Sequence, residues 1–327
     1  MPRGIRLKMP RLGPHIREMS GSLLRHLDAR IFPEYHLRRR VDGKVILLTG
    51  ASTGIGEVLA YRLSAAGAQL VLAARSPEKL EAVVRRIRTA GGRARAVPAD
   101  LSKSQDCDRL ANNVLEHEGA VDILINNAGR SIRRPVLRSL ERFHDFERTM
   151  QLNYFGTIRL TMNLLTSMKE NGGAHIVNIS TVGVQMAPAR FSAYLASKGA
   201  VEGWTMSAAN ELGHHNIRMT LVNLPLVRTP MIAPTEVYRY TPAISPDEAA
   251  RRICRALITR QKRVINAAAV GTQAAYLLFP RLSEAVVNVG YQLTQESSAV
   301  RRGDRDEDTT GTRQPTQQSN VHPLRRK

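Results

Sequence analysis

The sequence predicts an α/β protein with a doubly wound parallel sheet of about seven strands, flanked by helices. Two observations support this fold class: short apolar, β-branched runs alternate with longer amphipathic stretches, and a glycine-rich turn follows the first apolar run. In such chains each helix carries the polypeptide back to start a parallel neighbouring strand. The predicted strands are 44–48, 69–73, 93–98, 122–126, 175–180, 218–223 and, with the weakest pattern, 263–266.

Helices are predicted between these strands, where apolar residues recur every three or four positions. The first helix follows the glycine-rich turn over residues 57–63, and the longest runs through 141–170. The sequence shows no internal repeat, so we expect a single folded domain. The other predicted helices are 77–90, 104–118 and 192–212.

The folded domain is predicted over residues 43–295, with a segment of different composition on either side. Residues 1–42 form a basic leader whose apolar residues recur at helical spacing. It is either an amphipathic helix on an anionic membrane or a helix that packs against its own domain or a partner subunit. Residues 296–327 are polar and charged, which is typical of a disordered tail. The apolar leader positions are Ile16, Met19, Leu23, Leu27 and Ile31.

Composition argues against several classes of protein. Of the 327 residues, 43% are hydrophobic, as in an ordinary globular protein. Cys107 and Cys254 lie far apart, so we expect no disulfide framework and no metal site, which fits a reducing cytoplasm. We expect no signal peptide. The longest stretch of low charge, residues 264–280, falls short of the ~20 residues that cross a membrane.

The net charge of +20 invites a nucleic-acid partner. We expect none, because the arginines are scattered along the chain and no nucleic-acid-binding module or aromatic stacking platform is recognisable. An anionic cofactor, an anionic thioester or an anionic lipid surface suits a basic protein equally well. Peripheral membrane association is therefore compatible with a cytoplasmic protein of this charge.

A glycine-rich turn lies between predicted strand 44–48 and predicted helix 57–63. It is Thr49-Gly50-Ala51-Ser52-Thr53-Gly54-Ile55-Gly56, with the spacing Gly-x-x-x-Gly-x-Gly. A turn of this kind cradles a pyrophosphate, because backbone N–H groups and the positive helix end point at the anion and glycines admit it closely. The alternative is a turn with a purely structural purpose.

Tyr194 and Lys198 form a second motif, Tyr-x-x-x-Lys, within predicted helix 192–212. Residues four apart on a helix lie on one face, one turn apart. The ammonium group favours the phenolate, so we expect the pKa of Tyr194 to fall below its usual value of about 10. Such a tyrosine exchanges a proton with a substrate oxygen near neutral pH. The alternative is a surface lysine beside a half-buried tyrosine.

Four motifs in this order resemble those of the classical short-chain dehydrogenases/reductases, over roughly residues 43–295. The resemblance implies a Rossmann-type fold, an oxidoreductase that uses a nicotinamide dinucleotide and, by analogy, a homodimer or homotetramer. The motifs are the glycine-rich turn, Asn126-Asn127-Ala128-Gly129, Asn153 and the pair Tyr194 and Lys198.

The resemblance also implies a role for each motif residue. Tyr194 is the general acid/base, Lys198 holds the nicotinamide ribose and lowers the phenol pKa, and Asn153 anchors a water that links Lys198 to solvent. Asp100 contacts the adenine and Thr229 the carboxamide. Local alternatives are that Asp100 starts the next helix and that Asn153 caps or bridges nearby backbone. The implied cofactor contacts are Gly50, Ser52, Thr53, Gly54, Ile55, Gly56, Asp100, Leu101, Asn127, Ala128, Gly129, Tyr194, Lys198, Val227 and Thr229.

The family also carries a hydroxyl residue that holds the substrate oxygen, usually a serine thirteen residues before the tyrosine. That spacing gives Thr181, whereas the position of Gly183 favours Ser180. A threonine hydroxyl donates the same hydrogen bond from a stiffer side chain, so both residues are candidates, with a slight preference for Thr181. The Pro-Gly that the family has after its sixth strand is replaced here by Leu224-Pro225, which reshapes the nicotinamide side of the pocket.

The end of the second strand indicates the cofactor. NAD-binding proteins of this fold place a carboxylate there to hold the adenosine ribose. Here the strand ends in Ala74-Arg75-Ser76, which has no acid to repel a 2′-phosphate. Arg75 can bind that phosphate through charge-assisted hydrogen bonds, so we expect NADP(H) in preference to NAD(H). The alternative is that Arg75 only stacks on the adenine.

The substrate is indicated by a narrower resemblance, to the short-chain reductase module of bacterial fatty acyl-CoA reductases. It implies reduction of an acyl-CoA thioester to a fatty aldehyde. Competing hypotheses are a reductase of a ketone, an aldehyde or a lipid carbonyl, and a non-catalytic dinucleotide-binding protein. The resemblance is carried by residues 189–194, 222–235 and 288–291. Candidate acyl-channel residues, which otherwise form core or a subunit interface, are Met231, Ile232, Leu277, Leu278, Phe279, Val286 and Val287.

Overall fold

Seven parallel strands form the centre of the structure, and helices cover both faces of the sheet. The computed structural model describes residues 33–233, 238 and 241–293. The predicted fold class is confirmed, and each strand ends within two residues of its prediction. The strands are β1 (Val45–Thr49), β2 (Gln69–Ala74), β3 (Arg93–Pro98), β4 (Ile123–Asn126), β5 (Ala174–Thr181), β6 (Ile217–Leu224) and β7 (Arg263–Val264).

Helices return the chain from the end of one strand to the start of the next. They are α1 (Pro33–Val41), α2 (Gly54–Ala65), α3 (Pro77–Thr89), α4 (Ser104–Glu118), α5 (His144–Met150), α6 (Thr157–Glu170), α7 (Gly183–Met186), α8 (Ser192–Glu211), α9 (Pro246–Thr259), α10 (Ala267–Leu278) and α11 (Pro280–Leu293).

The strand order places a cleft at the centre of the sheet. The order is β3-β2-β1-β4-β5-β6-β7, so the chain winds outward from β1 to β3 and then crosses back to β4. The loops after β1 and β4 therefore leave the sheet in opposite directions. A crevice opens between them at the carboxyl ends of the strands, which is where sheets of this kind bind ligands.

The strands are continuous apolar runs because both of their faces are buried. Successive side chains point to opposite faces, so Ile46 and Leu48 of β1 pack into one layer of core and Leu47 into the other. All three side chains are fully buried. A sheet held rigidly from both sides fixes the positions of the loops at its carboxyl edge.

The long helix predicted through 141–170 is divided by a π-helical turn over Gln151–Gly156. α5 precedes this turn and α6 follows it, with no break in the helical path. A π turn admits one extra residue, which rotates the following helix and often marks a functional position. Residues in the middle of this helix therefore face the cleft in a way that regular 3.6-residue spacing does not predict.

The last part of the predicted leader, α1, packs against the folded body, which is one of the two alternatives given for residues 1–42. Leu37 and Val41 are buried in the core, and Arg40 Nη2 donates to the Ile258 carbonyl at the end of α9 at 3.4 Å. The five apolar leader positions predicted to form a helix lie outside the described residues, as does the predicted tail. Within the described part of the chain, no helix is both long and apolar enough to cross a membrane.

Candidate active site

The glycine-rich turn forms a close-fitting cradle at the carboxyl end of β1. Gly50 has a φ of +66°, and a Cβ there would come within 2.9 Å of the Ala128 Cα. A Cβ on Gly56 would overlap the Gly50 carbonyl oxygen. Larger residues are therefore excluded at both positions. The turn leads directly into the N-terminus of α2 at Gly54, so the helix dipole and free N–H groups face the crevice, as an anionic pyrophosphate requires.

Asn127 locks the loop after β4 onto this turn. Its side-chain Nδ2 donates to the carbonyl oxygens of Thr49 at 3.0 Å and Gly50 at 3.2 Å. In return, the Thr49 hydroxyl oxygen accepts hydrogen bonds from the backbone N–H groups of Asn127 and Ala128, both at 3.0 Å. The two walls of the crevice are thus held together by four hydrogen bonds. Thr49 was not predicted as a site residue.

Thr229 lies on the other side of the turn. A Cβ on Gly54 would be 3.2 Å from the Thr229 Cγ2 methyl group, so this threonine sits directly over the cradle. Val227, by contrast, is buried and pairs with Ile244 through a β-bridge. Its side chain therefore supports the loop, and only its backbone is available to a ligand.

The catalytic candidates come together at the carboxyl end of β5, beside α8. The side chain of Thr181 lies near the phenol of Tyr194 and lowers its pKa, and the Lys198 Nζ donates to the Ile179 carbonyl at 2.7 Å. Tyr194 and Lys198 thus lie one turn apart on one face of the helix, as predicted, and both face the strand rather than bulk water.

The structure distinguishes the two candidate hydroxyls. Thr181 contacts Tyr194, whereas the Ser180 Oγ donates to Glu202 Oε1 at 2.7 Å. Glu202 is eight residues beyond Tyr194, which is roughly 12 Å along the helix axis. The Ser180 hydroxyl is thus engaged away from the phenol, which favours Thr181 of the two predicted candidates.

The prediction that the pKa of Tyr194 falls below its usual value was wrong. Part of the side chain is exposed, but its hydroxyl lies in buried surroundings, and this burial raises the pKa to about 12. The hydrogen bond with Thr181 opposes the shift. Burial disfavours the phenolate more strongly than the neighbouring groups favour it.

Lys198 is buried as well, and burial lowers its pKa to about 8. The charge of Glu202, one turn further along α8, opposes this shift. The ammonium therefore keeps its proton at neutral pH by a narrow margin. A lysine poised in this way is unusual outside functional sites.

Asn153 projects from the π-helical turn into the same region. Its Oδ1 accepts from the Arg130 N–H at 2.8 Å, and its Nδ2 donates to the Arg130 carbonyl at 2.9 Å and to the Ser197 Oγ at 2.9 Å. Ser197 in turn donates to the Tyr194 carbonyl at 2.7 Å. Asn153 therefore bridges local backbone, as the alternative reading held, and also ties the loop after β4 to the catalytic helix.

Gly129 is the point at which these groups meet. A Cβ built on it would lie 3.3 Å from the Asn153 Oδ1 and 3.5 Å from the Lys198 Nζ. The amide oxygen and the ammonium therefore flank the same small space, in which a water relay to Lys198 remains a prediction.

The remaining predicted contacts lie around the far end of the crevice. Asp100 Oδ1 accepts hydrogen bonds from the N–H and hydroxyl groups of Ser102, at 3.0 and 2.7 Å, so its carboxylate caps the start of a local turn. Leu101 is buried in the core, which leaves its backbone for any ligand contact. Ser52 and Thr53 lie in the turn between β1 and α2, and Ile55 lies in the first turn of α2.

Arginines make this end of the crevice positive. Arg75 is exposed directly after β2. Burial lowers the pKa of the half-buried Arg130, and the like charges of Arg148 and Arg75 lower it further. Asp100 and Asp145 oppose these shifts. Arg148 is ion-paired with Asp145, so the positive charge of Arg75 and Arg130 is what suits an anionic ligand here.

A polar ladder beneath the site was missed by the sequence analysis. The Asn126 Nδ2 donates to Asn178 Oδ1 at 2.8 Å and to Thr161 Oγ1 at 3.1 Å, and the Asn178 Nδ2 donates to Thr205 Oγ1 at 2.8 Å. The available signal was the presence of two asparagines in otherwise apolar strands. Among the residues with described positions, no His, Cys, Asp or Glu cluster could hold a metal ion.

A doubly wound parallel sheet with a pyrophosphate cradle and a Tyr–Lys pair at its carboxyl edge defines a nicotinamide-dinucleotide oxidoreductase. The comparisons with known proteins agree. The family model of the short chain dehydrogenases matches residues 44–237. The chain belongs to this family.

Individual relatives narrow the comparison. A fatty acyl-CoA reductase of Acinetobacter baylyi is 46% identical over 263 residues, which cover 80% of this chain and 89% of that protein. A crystal structure of a short-chain dehydrogenase from Streptomyces avermitilis is 30% identical with a TM-score of 0.65, covering 77% of this chain and 98% of that one. A metagenomic short-chain oxidoreductase in complex with NADP is 33% identical with a TM-score of 0.60, covering 69% and 98%.

Proposed function

We propose that the protein is an NADPH-dependent reductase that converts fatty acyl-CoA thioesters to fatty aldehydes. The observation that carries the proposal is the pair of neighbouring hydroxyls, Thr181 and Tyr194, with Lys198 one helical turn beyond Tyr194. The thioester substrate is supported by 46% identity to a fatty acyl-CoA reductase.

The dinucleotide is held by the cradle. Backbone N–H groups of the turn and the start of α2 would bind its pyrophosphate, and Lys198 and Thr229 would hold its nicotinamide half. Bound NADPH supplies the hydride that reduces the carbonyl carbon. The cradle fits such a group because glycines occupy the positions where any side chain would fill it.

The two hydroxyls act on the carbonyl oxygen. As negative charge develops there, Thr181 and Tyr194 donate hydrogen bonds to it, which is worth most in buried surroundings. Tyr194 then transfers its proton to the oxygen, and the Lys198 ammonium stabilises the phenolate left behind. The product of this step is a hemithioacetal. When its C–S bond breaks, the hydroxyl proton returns to the Tyr194 phenolate, an aldehyde forms, and CoA leaves as thiolate.

The preference for NADPH is supported by the arginine cluster at the adenosine end of the crevice. Arg75 follows β2 with no acidic neighbour at the strand end, and Arg130 and Arg148 add positive charge nearby. A 2′-phosphate would be attracted there, whereas a ribose with free hydroxyls gains little. The NADP complex of the metagenomic relative is consistent with this choice.

Apolar side chains near the cleft support an acyl substrate. Leu277, Leu278 and Phe279 at the end of α10 are 79, 71 and 61% exposed, so they are not ordinary core. α11 is tied to the site, because Arg190 stacks on the Tyr291 ring with its Cζ 4.6 Å from the ring centroid. A fatty chain entering between these helices would cover the exposed surface. The adjoining positions Met231 and Val286 are 51 and 64% exposed, and Ile232 and Val287 are half-buried.

We further propose a cytoplasmic homo-oligomer that associates peripherally with membranes. The exposed apolar residues Phe155 and Met162 on one side of the π turn and α6 support subunit contact. The net charge of +20 together with the apolar α10–α11 surface supports contact with anionic lipid.

The deciding experiment compares NADPH oxidation with palmitoyl-CoA against a panel of ketones and aldehydes, with mass spectrometry of the products. A fatty aldehyde from palmitoyl-CoA supports the proposal. Turnover of ketones alone would assign a carbonyl reductase with the same machinery. Failure to bind NADPH in a fluorescence titration would instead leave a non-catalytic protein.

A further inference from the structure

Three consecutive residues at the end of β5 each contact one of three residues spaced one turn apart on α8. The end of the strand therefore packs along one face of the helix over about two turns. The pairs are Thr181 with Tyr194, the Ile179 carbonyl with Lys198, and Ser180 with Glu202. The first two pairs belong to the proposed catalytic machinery, and the third has no part in it.

Glu202 is a buried carboxylate with a full set of donors. Its residue exposure is 5%. Oε1 accepts from the Ser180 hydroxyl at 2.7 Å and the Asn223 Nδ2 at 2.5 Å. Oε2 accepts from the Gln185 Nε2 at 3.1 Å and the Arg263 Nη2 at 3.0 Å. Four donors on two oxygens satisfy an ionised carboxylate in a buried place.

This network reaches the backbone that carries the catalytic hydroxyl. Asn223, opposite Ser180 in the β5–β6 register, also donates to the Thr181 carbonyl at 3.1 Å. Glu202 thus holds Ser180 directly and the Thr181 backbone through Asn223. The direction of the Thr181 hydroxyl depends on that backbone, because a β-branched side chain has few allowed rotamers.

The charge of Glu202 also acts on the site. Residues four apart on a helix have Cβ atoms about 5–6 Å apart, so Lys198 and Glu202 occupy neighbouring positions on the buried face of α8. The carboxylate opposes the effect of burial on the Lys198 pKa. Arg263 of β7 sits on the far side of the carboxylate and partly neutralises it. Besides Lys198 and Glu202 themselves, the charged or titratable groups in these contacts are Tyr194 on α8 and Arg263 on β7.

We propose that Glu202 is a positioning residue for the reaction. It anchors the end of β5, so that Thr181 faces Tyr194, and its negative charge keeps the buried amine of Lys198 protonated. The proposal rests on the proposed function insofar as Tyr194 and Lys198 are the catalytic pair. Ser180 belongs to this support and not to the reacting groups.

The test uses two substitutions that change the field at Lys198 in opposite directions. Glu202→Gln removes the negative charge and presents an NH₂ group to two of the four donors. It should lower kcat about tenfold or more and move the alkaline fall of kcat to lower pH. Arg263→Gln leaves the carboxylate less neutralised, so the alkaline fall should move to higher pH. Arg263 is half-exposed, so this variant should fold even if Glu202→Gln does not.

The matched control is Asp122→Asn, which removes a carboxylate bound to Lys44 and to the Val45 N–H at the opposite, amino edge of the sheet. It should reduce stability without moving the pH profile. Equal profiles for wild type, Glu202→Gln and Arg263→Gln, or shifts of both variants in one direction, would leave Glu202 with a structural role only and overturn the proposal.

A second readout needs no carbonyl substrate. NADPH affinity, followed by fluorescence across the same pH range, should fall as Lys198 loses its proton, with the same opposite shifts in the two variants. If NADPH affinity shows these opposite pH shifts but no substrate is turned over, this inference is supported and the proposed function is contradicted. If acyl-CoA is turned over but the pH profiles of NADPH affinity and kcat are the same in both variants as in the wild type, the proposed function is supported and this inference is contradicted.

Discussion

The side chain of Thr181 lies near the phenol of Tyr194, whereas the hydroxyl of the adjacent Ser180 donates to Glu202. Neighbouring residues of one strand therefore have different partners on one helix. This arrangement pairs a proton donor with a second hydrogen-bond donor at the end of the sheet, where one substrate oxygen can contact both. It is the geometry that an oxyanion-stabilising site requires.

Replacing the phenol should separate binding from chemistry. Tyr194→Phe removes the proton that the reduced oxygen receives, so we expect kcat to fall by a factor of about 100 or more. NADPH affinity should stay near that of the wild type, since the cradle is untouched. Tyr35→Phe, at an exposed position on α1, is the matched control. Turnover of Tyr194→Phe at the wild-type rate would contradict the proposed mechanism.

The two candidate hydroxyls can be compared by shape-conserving substitutions. Thr181→Val keeps the branched shape and loses the hydroxyl, so kcat should fall about 100–1,000-fold, the usual effect of removing one oxyanion donor. Thr181→Ser keeps the hydroxyl and should retain most of the activity. Ser180→Ala should have a smaller effect than Thr181→Val. A larger loss with Ser180→Ala would show that the substrate oxygen contacts Ser180.

The sequence was sufficient for the fold and for most of the cradle. Strands buried on both faces carry an uninterrupted apolar signal, and Gly50 and Gly56 are fixed by contacts that no other residue tolerates. These features depend on local sequence and on short connections. The strands and helices predicted from the sequence therefore agree closely with those of the structure.

The choice between Ser180 and Thr181 depended on contacts that sequence spacing does not encode. The buried Glu202, which accepts the hydrogen bond of the Ser180 hydroxyl, lies more than twenty positions away in sequence. The groups that donate to its carboxylate come from β5, β6, β7 and α7. The pKa of Tyr194 was misjudged for a related reason. The helical spacing of Lys198 is visible in the sequence, whereas the burial that raises the Tyr194 pKa is a property of the whole fold.

Cofactor selectivity can be measured at Arg75. Arg75→Ala removes a guanidinium that would bind a 2′-phosphate, so the Kd for NADPH should rise roughly 10–100-fold, as for loss of a charge-assisted hydrogen bond. The Kd for NADH should change much less. Arg85→Ala, exposed on the following helix, controls for net charge. Equal weakening of both cofactors would show that the 2′-phosphate is recognised elsewhere.

Two glycine-to-alanine substitutions with opposite expectations test the cradle. In Gly56→Ala the new methyl group would overlap the Gly50 carbonyl oxygen and lie 2.8 Å from the Asn127 Nδ2. NADPH binding should be lost, and stability should fall by about 1–3 kcal/mol from overpacking. Gly203 on α8 has no atom within 4 Å of its Cβ position. Gly203→Ala should therefore raise the free energy of unfolding by up to about 1 kcal/mol. Chemical denaturation and fluorescence titration measure both, and normal NADPH binding by Gly56→Ala would contradict the assigned cradle.

Acid stability should depend on a histidine away from the active site. His175 on β5 is buried, its Nε2 is 2.8 Å from the Thr220 hydroxyl, and burial lowers its pKa from 6.5 to about 3. Between those two values the unfolded chain binds a proton that the folded protein does not. The contribution of His175 to stability is therefore present above pH 6.5 and is lost progressively as the pH falls toward 3. His175→Gln retains a polar partner for Thr220 but does not titrate. Its free energy of unfolding, measured by urea denaturation from pH 7 down to pH 4, should fall less steeply than that of the wild type. Parallel curves for the two proteins would show that His175 is not the group that confers acid sensitivity.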